Sequence, residues 1–138
     1  MTMLHQTLSY EVDGRALISD LYRSGTGACP GILLFPDIRG LRPWLRDQAA
    51  GLAAQGYAVL ACDLHGGGAM LSDGDAIAGR LAEFRQEPGT MERLARASLN
   101  IFADHVRCTA LGALGYCIGG TIALEMARQD DSGRECVV

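Results

Sequence analysis

The sequence predicts one α/β domain, built on a mostly parallel sheet that follows an N-terminal antiparallel hairpin. Short, continuously apolar runs alternate along the chain with stretches of helical period. This order is typical of parallel strands buried on both faces by helices. The 138 residues suffice for one hydrophobic core, and no repeat or low-complexity linker divides them. We therefore expect a single domain over residues 1–138.

The predicted strands begin with the hairpin, in which LSYEV and RALISDLY flank Asp13 and Gly14. Such a pair readily adopts the positive φ angles of a two-residue turn. Continuous apolar runs predict three further strands. They are ILLF (32–35), YAVLACDL (57–64) and TALGALGY (109–116), and ECVV (135–138) predicts the start of another strand.

Four stretches have helical period: 43–56, 75–85, 90–103 and 121–129. Pro43 suits the first turn of the first helix, and Gly56 suits its end. Ligand sites of parallel sheets form in loops at the carboxyl ends of the strands. Here those loops are 36–41, 65–74 and 115–120.

Composition argues against several classes of partner. The formal net charge is −4 without a basic cluster, which argues against nucleic acid and anionic membrane surfaces. No apolar run approaches the roughly 18 residues that span a bilayer, and the N-terminal segment lacks the pattern of a signal peptide. The five cysteines form neither a Cys-x-x-Cys pair nor a zinc-site spacing. We expect reduced thiols in a cytoplasmic protein that holds no metal.

The motif GYCIGG (115–120) places Cys117 between a predicted strand and a predicted helix. A sharp turn there lifts a nucleophile off the sheet, provided that small residues such as Gly115 and Gly119 stand two positions away. The helix N-terminus favours a thiolate. The N–H of Ile118 would face a developing oxyanion, and Ile38, in the loop after an earlier strand, is the candidate second donor. Acyl transfer through a thioester is the chemistry that uses this arrangement.

Other interpretations of these features stay open. A cysteine on an apolar strand is usually a small core residue, and we assign that role to Cys29, Cys62, Cys108 and Cys136. Cys117 could instead be a redox-sensing thiol. A dinucleotide-binding turn would need Gly-x-Gly-x-x-Gly after the first strand, and this motif has neither the spacing nor the position.

GYCIGG, together with the segment FPDIRGLRPWLRDQAAGLAAQGYAVLACDL and their spacing, resembles the dienelactone hydrolase family of the α/β-hydrolase fold. The resemblance implies that Cys117 is the nucleophile and that the amides of Ile38 and Ile118 form an oxyanion hole. It places Asp37 where the family has a carboxylate, usually glutamate, that contacts the thiol. Aspartate is one methylene shorter, and the alternative role of Asp37 is to cap the loop that follows it.

The resemblance also implies a cofactor-free hydrolase of small carboxylic esters or lactones. In the family that this chain resembles, members that hydrolyse dienelactone carry an arginine after Asp-Leu-Tyr that holds the substrate carboxylate, where this chain has glycine at Gly67. Arg39, beside the predicted oxyanion donor, is a candidate replacement. His65 ends a strand two places from that of Cys117, roughly 9–10 Å away, so we expect it to line the substrate pocket rather than to act as the base.

The family's catalytic triad continues with an aspartate and a histidine on later loops, and only 18 residues follow Gly120. We expect this chain to lack both and to represent an N-terminal portion of the fold, truncated after the helix that follows Cys117. His5 and His105 are predicted to lie away from the site. The alternative to a hydrolase is a non-catalytic remnant that acts only as a folded or binding domain.

Overall fold

The structure, a computed structural model, describes residues 3–129 and 136–137. The described elements are six strands and four helices, in the order β1 Leu4–Val12, β2 Arg15–Arg23, β3 Cys29–Phe35, α1 Pro43–Ala54, β4 Ala58–Ala61, α2 Gly74–Gln86, α3 Gly89–His105, β5 Cys108–Gly115, α4 Ile118–Gln129 and β6 Cys136–Val137.

The strands form one sheet in the order β1-β2-β4-β3-β5-β6. The hairpin strands pair antiparallel, and β2 joins the sheet antiparallel to β4. The pairs β3–β4, β3–β5 and β5–β6 are parallel. The predicted architecture is therefore confirmed, including the two-residue turn, in which Asp13 and Gly14 have φ angles of 54° and 75°.

Two clusters of buried side chains cover the two faces of the sheet. One cluster lies between the sheet and α1 and includes Leu34, Leu45 and Val59. The other lies under α2, α3 and α4 and includes Leu33 and Phe35. Because consecutive residues of β3 enter opposite clusters, the whole strand must be apolar, which explains its unbroken hydrophobic run.

Several element boundaries differ from the sequence prediction. β3 begins at Cys29 rather than at residue 32 and includes Pro30 and Gly31. The prediction missed this part of the strand because proline and glycine are typical loop residues. α4 begins at Ile118, so the glycines at 119 and 120 belong to its first turn. β4 ends at Ala61 rather than at residue 64, because the chain turns there toward a buried carboxylate.

That carboxylate belongs to Asp63, which is 1% exposed. Its two oxygens accept hydrogen bonds from the backbone N–H groups of Ile18, His65, Gly66 and Gly68, at 2.8–3.1 Å. Asp63 therefore ties the 65–74 loop to β2 of the hairpin. A sequence pattern cannot distinguish this carboxylate from one that faces solvent.

Replacing Asp63 with alanine should strongly destabilise the fold, because four backbone donors would lose their acceptor. At about 1 kcal/mol or more for each unsatisfied buried group, the free energy of unfolding should fall by at least about 3 kcal/mol in urea titrations. Asp104→Ala, at an exposed position of α3, should change it by less than about 0.5 kcal/mol. Equal effects of the two substitutions would contradict this role of Asp63.

Candidate functional site

Cys117 is the second residue of a two-residue junction, Tyr116–Cys117, between β5, which ends at Gly115, and α4, which begins at Ile118. Its φ angle is 57°, a left-handed conformation that is uncommon for residues with a side chain and that carries strain. The residue is exposed. The residue thus lies exposed at the carboxyl end of β5, whereas its role as a nucleophile remains a prediction.

The glycines around Cys117 are required by close backbone contacts. A Cβ atom added at Gly115 would lie 2.1 Å from the carbonyl oxygen of Gly119. A Cβ atom added at Gly119 would lie 2.3 Å from the carbonyl oxygen of Pro36 and 2.4 Å from that of Phe35. The first turn of α4 consequently packs directly against the end of β3.

Among the described residues, the backbone hydrogen bonds of this turn leave the N–H of Ile118 at its tip. Gly119 donates to the carbonyl of Tyr116, and Gly120 donates to that of Cys117, both at 2.9 Å. Ile118 is the first residue of α4, so its N–H has no acceptor within the helix. The N–H of Tyr116 bonds to the carbonyl of Phe35 at 3.1 Å and fastens the turn to β3.

Residues 36–41 form the neighbouring loop and contain Asp37. One of its carboxylate oxygens accepts from the N–H of Arg39 at 2.9 Å, and the other is 2.6 Å from the guanidinium of Arg42. The carbonyl of Asp37 accepts from the N–H of Gly40 at 3.0 Å. These contacts agree with the loop-capping role, whereas contact between Asp37 and the thiol remains a prediction.

The Arg39 side chain is exposed, beside half-buried Ile38. The backbone carbonyl of Arg39 accepts a hydrogen bond from the N–H of Leu71 at 2.9 Å, and this bond connects the 36–41 loop to the 65–74 loop. Within residues 3–129 and 136–137, the Arg39 guanidinium has no hydrogen-bond or ion-pair partner. A role in binding an anionic substrate remains a prediction.

His65 lies in the loop that follows β4, four residues beyond Ala61, and β3 separates β4 from β5, as predicted. The side chain is buried, and both ring nitrogens have partners. Nε2 is 2.6 Å from the carbonyl oxygen of Ile38, and Nδ1 accepts a hydrogen bond from Nε of Arg80 at 3.3 Å. Its contact with substrate remains a prediction.

The pKa of His65 is lowered from its ordinary value, mainly because burial disfavours the charged imidazolium. The carbonyl of Ile38 opposes that effect, and the nearby guanidinium of Arg80 adds to it. The ring is therefore held neutral around physiological pH.

Sequence reasoning did not find Arg80, which is only 7% exposed. It comes from the middle of α2 and also donates to the carbonyl of Leu64 and the carboxylate of Glu83. An arginine in a helix ordinarily faces solvent, and nothing in the local pattern marks this one as buried.

The other two histidines lie elsewhere. His5, on β1, is 2.9 Å from the carboxylate of Asp20 and stacks on the ring of Tyr22. His105 ends α3, immediately before the start of β5, and so lies at the opposite end of that strand from Cys117.

The remaining cysteines pack in the interior where they are described. Cys62 is buried, and burial raises the pKa of its thiol. Cys29 and Cys108 are half-buried and pack against the larger core cluster, whereas the side chain of Cys136 lies outside the described residues. These positions agree with the predicted core roles.

Two general features bear on metals and membranes. Among residues 3–129 and 136–137, no group of three or more His, Cys, Asp or Glu side chains is placed to hold a metal ion. None of the helices in that part of the chain has both the length and the apolar character needed to cross a bilayer. The absence of a cofactor remains a prediction.

Gly67 stands where the resemblance leads one to expect an arginine, and its backbone conformation bears on that difference. Gly66, Gly67 and Gly68 all have positive φ angles, between 61° and 101°. An arginine at position 67 would have to adopt the left-handed conformation, which side chains other than glycine disfavour. The backbone conformation at position 67 is thus better suited to glycine than to arginine.

Gly119→Ala should destabilise the protein by about 2 kcal/mol or more, because the new methyl group would overlap two carbonyl oxygens. Thermal or urea unfolding measures the effect. Gly51→Ala is a matched control, since Gly51 lies in α1 with open space around its Cα, and it should stabilise the protein by roughly 0.5–1 kcal/mol. A Gly119→Ala protein as stable as the wild type would contradict the close packing of α4 on β3.

Comparisons with known proteins agree on one family. The family model described as "Dienelactone hydrolase family" matches residues 18–137. The chain is 32% identical over 107 residues to a probable 2-oxo-3-(5-oxofuran-2-ylidene)propanoate lactonase of Bradyrhizobium sp., covering 75% of this chain and 42% of that protein. It is 34% identical over 122 residues to carboxymethylenebutenolidase 2 of Cupriavidus pinatubonensis, covering 86% and 47%.

The solved structure m3DLH superposes with a TM-score of 0.85 at 34% identity, covering 98% of this chain and 57% of that one. The chain thus spans about half the length of the relatives that it matches. With a family model that covers most of its residues, the chain belongs to the dienelactone hydrolase family.

Proposed function

We propose that this chain carries the nucleophile and the oxyanion-binding groups of a hydrolase that cleaves carboxylic esters or lactones. The observation that carries the proposal is the left-handed Cys117, exposed at a strand–helix turn. Gly119 packs that turn against the carbonyls of Phe35 and Pro36, and the loop with Ile38 begins at this point. The thiol and two backbone N–H groups are thereby expected to face one reacting carbonyl.

In the proposed reaction, the thiolate of Cys117 attacks the carbonyl carbon and a C–S bond forms. The carbonyl oxygen gains negative charge, which the N–H groups of Ile38 and Ile118 would stabilise. Collapse of the tetrahedral intermediate breaks the C–O bond and leaves a thioester. The departing alkoxide takes a proton from water and becomes the free alcohol or, for a lactone, the hydroxyl group of the opened ring. Water then has to hydrolyse the thioester.

The second half-reaction needs a base, and the histidines of this chain are poorly suited to that role. His65 uses both ring nitrogens within the protein, and His5 and His105 occupy the hairpin and the far end of β5. We therefore expect this chain to be acylated once and to release the acyl group very slowly. A non-catalytic remnant, the alternative function, would not be acylated at all.

The substrate class follows from the relatives and from the charge at the site. The two relatives are named for action on lactones, and both names include a carboxyl-bearing substituent. The guanidinium of Arg39, which has no partner in the part of the chain that the structure describes, belongs to the residue next to the proposed oxyanion donor Ile38. We propose a small lactone or ester with a carboxylate that Arg39 contacts.

Incubation with p-nitrophenyl acetate should release about one equivalent of p-nitrophenolate in a burst. Cys117→Ala should abolish the burst, while Cys29→Ala should retain it because Cys29 packs against the core. Mass spectrometry should find the acetyl group on Cys117. Steady turnover that depends on Cys117 would show that a base is present after all, and the absence of any thiol-dependent release would favour the remnant.

Arg39→Gln should slow acylation by mono-p-nitrophenyl succinate, whose free carboxylate would face the guanidinium, and leave acylation by the neutral acetate ester unchanged. An exposed ion pair is worth about 1 kcal/mol, which corresponds to about fivefold in rate. Arg107→Gln, an exposed arginine beside the start of β5, is the control. Equal slowing of both esters by Arg39→Gln would remove Arg39 from the substrate site.

A further inference from the structure

The imidazole of His65 is restricted to one protonation state by its two partners. Arginine is always protonated, so Nε of Arg80 can only donate, and Nδ1 of His65 must accept. The Ile38 carbonyl can only accept, so Nε2 of His65 must carry the proton. Both contacts require the same neutral form of the ring.

The carbonyl that His65 holds belongs to the residue whose N–H is the proposed oxyanion donor. The peptide plane before Ile38 is held by the bond from Gly40 N–H to the Asp37 carbonyl, at 3.0 Å. The peptide plane after Ile38 is held by His65, at 2.6 Å. With both planes held, the direction of the Ile38 N–H is fixed before any substrate arrives.

We call the hydrogen bond between His65 and the Ile38 carbonyl the link. Residues of α2 and of the hairpin hold the His65 end of the link. Arg80 donates to the Leu64 carbonyl at 2.5 Å and to Glu83 at 2.6 Å, and it packs over the ring of Phe84 at 4.4 Å. Arg15, on β2, donates to the carbonyl of His65 itself at 2.9 Å. α2 thus holds the imidazole of His65, and β2 holds the backbone of the same residue.

The loops make further contacts around this link. Gly40 pairs with Met70 as an isolated bridge, and a Cβ atom added at Gly40 would lie 2.5 Å from the carbonyl of Ala69 and 3.1 Å from the ring of His65. The 36–41 loop therefore rests directly on the 65–74 loop, with His65 between them.

We propose that His65, held by Arg80, is a positioning residue that aims the Ile38 N–H at the oxyanion. This inference rests on the proposed function. His65 would act through the loop and would not exchange a proton with the substrate. Because a preorganised donor is effective only in the correct direction, loss of the link should slow acylation without changing the intrinsic reactivity of the thiol.

Two reactions of Cys117 separate these effects. Acylation by p-nitrophenyl acetate generates an oxyanion, whereas alkylation by iodoacetamide displaces iodide and generates none. Both need the thiolate, so the ratio of the two rate constants largely cancels any change in thiol ionisation. Peptide mapping by mass spectrometry assigns both products to Cys117.

His65→Phe removes both hydrogen bonds and should lower the ratio of acylation to alkylation by about 10-fold or more. His65→Gln retains an amide donor and an acceptor and should keep the ratio within about threefold of the wild type. His105→Phe, an exposed histidine at the end of α3, is the matched control and should leave it unchanged. A folded His65→Phe protein with the wild-type ratio would overturn the proposal.

If His65→Phe does not fold by circular dichroism, the wild-type pH profile decides the question. Protonation of His65 would remove the acceptor at Nδ1 and place a positive charge beside Arg80 and Arg15, with Asp63 and Glu83 as the nearby acids. Because the folded pKa lies below the ordinary value, the link is complete above about pH 6.5 and weakens as the pH falls through the folded pKa. The ratio of acylation to alkylation should therefore fall with the pH in the wild type and stay level in His65→Gln. A level wild-type profile would overturn the proposal.

Failure of the underlying function would have a different signature. In that case wild-type Cys117 would react with iodoacetamide but not with the ester, whichever residue stands at position 65. That result would overturn the proposed function and, with it, the positioning role. Normal acylation of the wild type with no effect of His65→Phe would overturn the positioning role alone.

Discussion

The contact of Gly119 with the carbonyls of Phe35 and Pro36 is the constraint on which the rest of the site depends. It brings the first turn of α4 against the end of β3 more closely than any side chain would allow. The chain can then connect β5 to α4 through only two residues, Tyr116 and Cys117, the second of which has a left-handed conformation. The same contact brings the turn that carries Cys117 to the start of the loop in which Ile38 lies.

A second set of interactions holds the 36–41 loop in place. The Asp63 carboxylate accepts hydrogen bonds from backbone amides at the start of the 65–74 loop, and His65 links that loop to Ile38. Arg80 completes the arrangement from α2. Burying charged groups is costly unless their partners are in place, so Asp63 and Arg80 favour one arrangement of the loops over others. Rigid support of this kind is what a preorganised oxyanion site requires.

Much of this arrangement could be predicted from the sequence because it depends on local patterns. Asp13 and Gly14 specify a hairpin turn, and continuous apolar runs specify strands buried on both faces. GYCIGG combines a nucleophile with the small residues that its turn requires, so it predicts both a conformation and a chemistry.

The parts that sequence reasoning missed depend on contacts between distant segments. Asp63 and Ile18 are 45 residues apart, and the partners of Arg80 come from α2 and from the segment that follows β4. An aspartate or arginine has the same letter whether it is buried or solvated, and only the folded chain shows its partners. The predicted end of β4 was wrong for the same reason. Residues 62–64 are as buried as a strand, but they follow the end of β4, and the Asp63 carboxylate binds backbone N–H groups of the next loop.

The most direct test of the account is a crystal structure of the protein after reaction with a trifluoromethyl ketone, which thiolates attack to form a stable tetrahedral adduct. We predict a covalent bond to Sγ of Cys117, with the adduct oxygen about 2.7–3.1 Å from the backbone nitrogens of both Ile38 and Ile118. An adduct oxygen that points to solvent, away from these two nitrogens, would contradict the account.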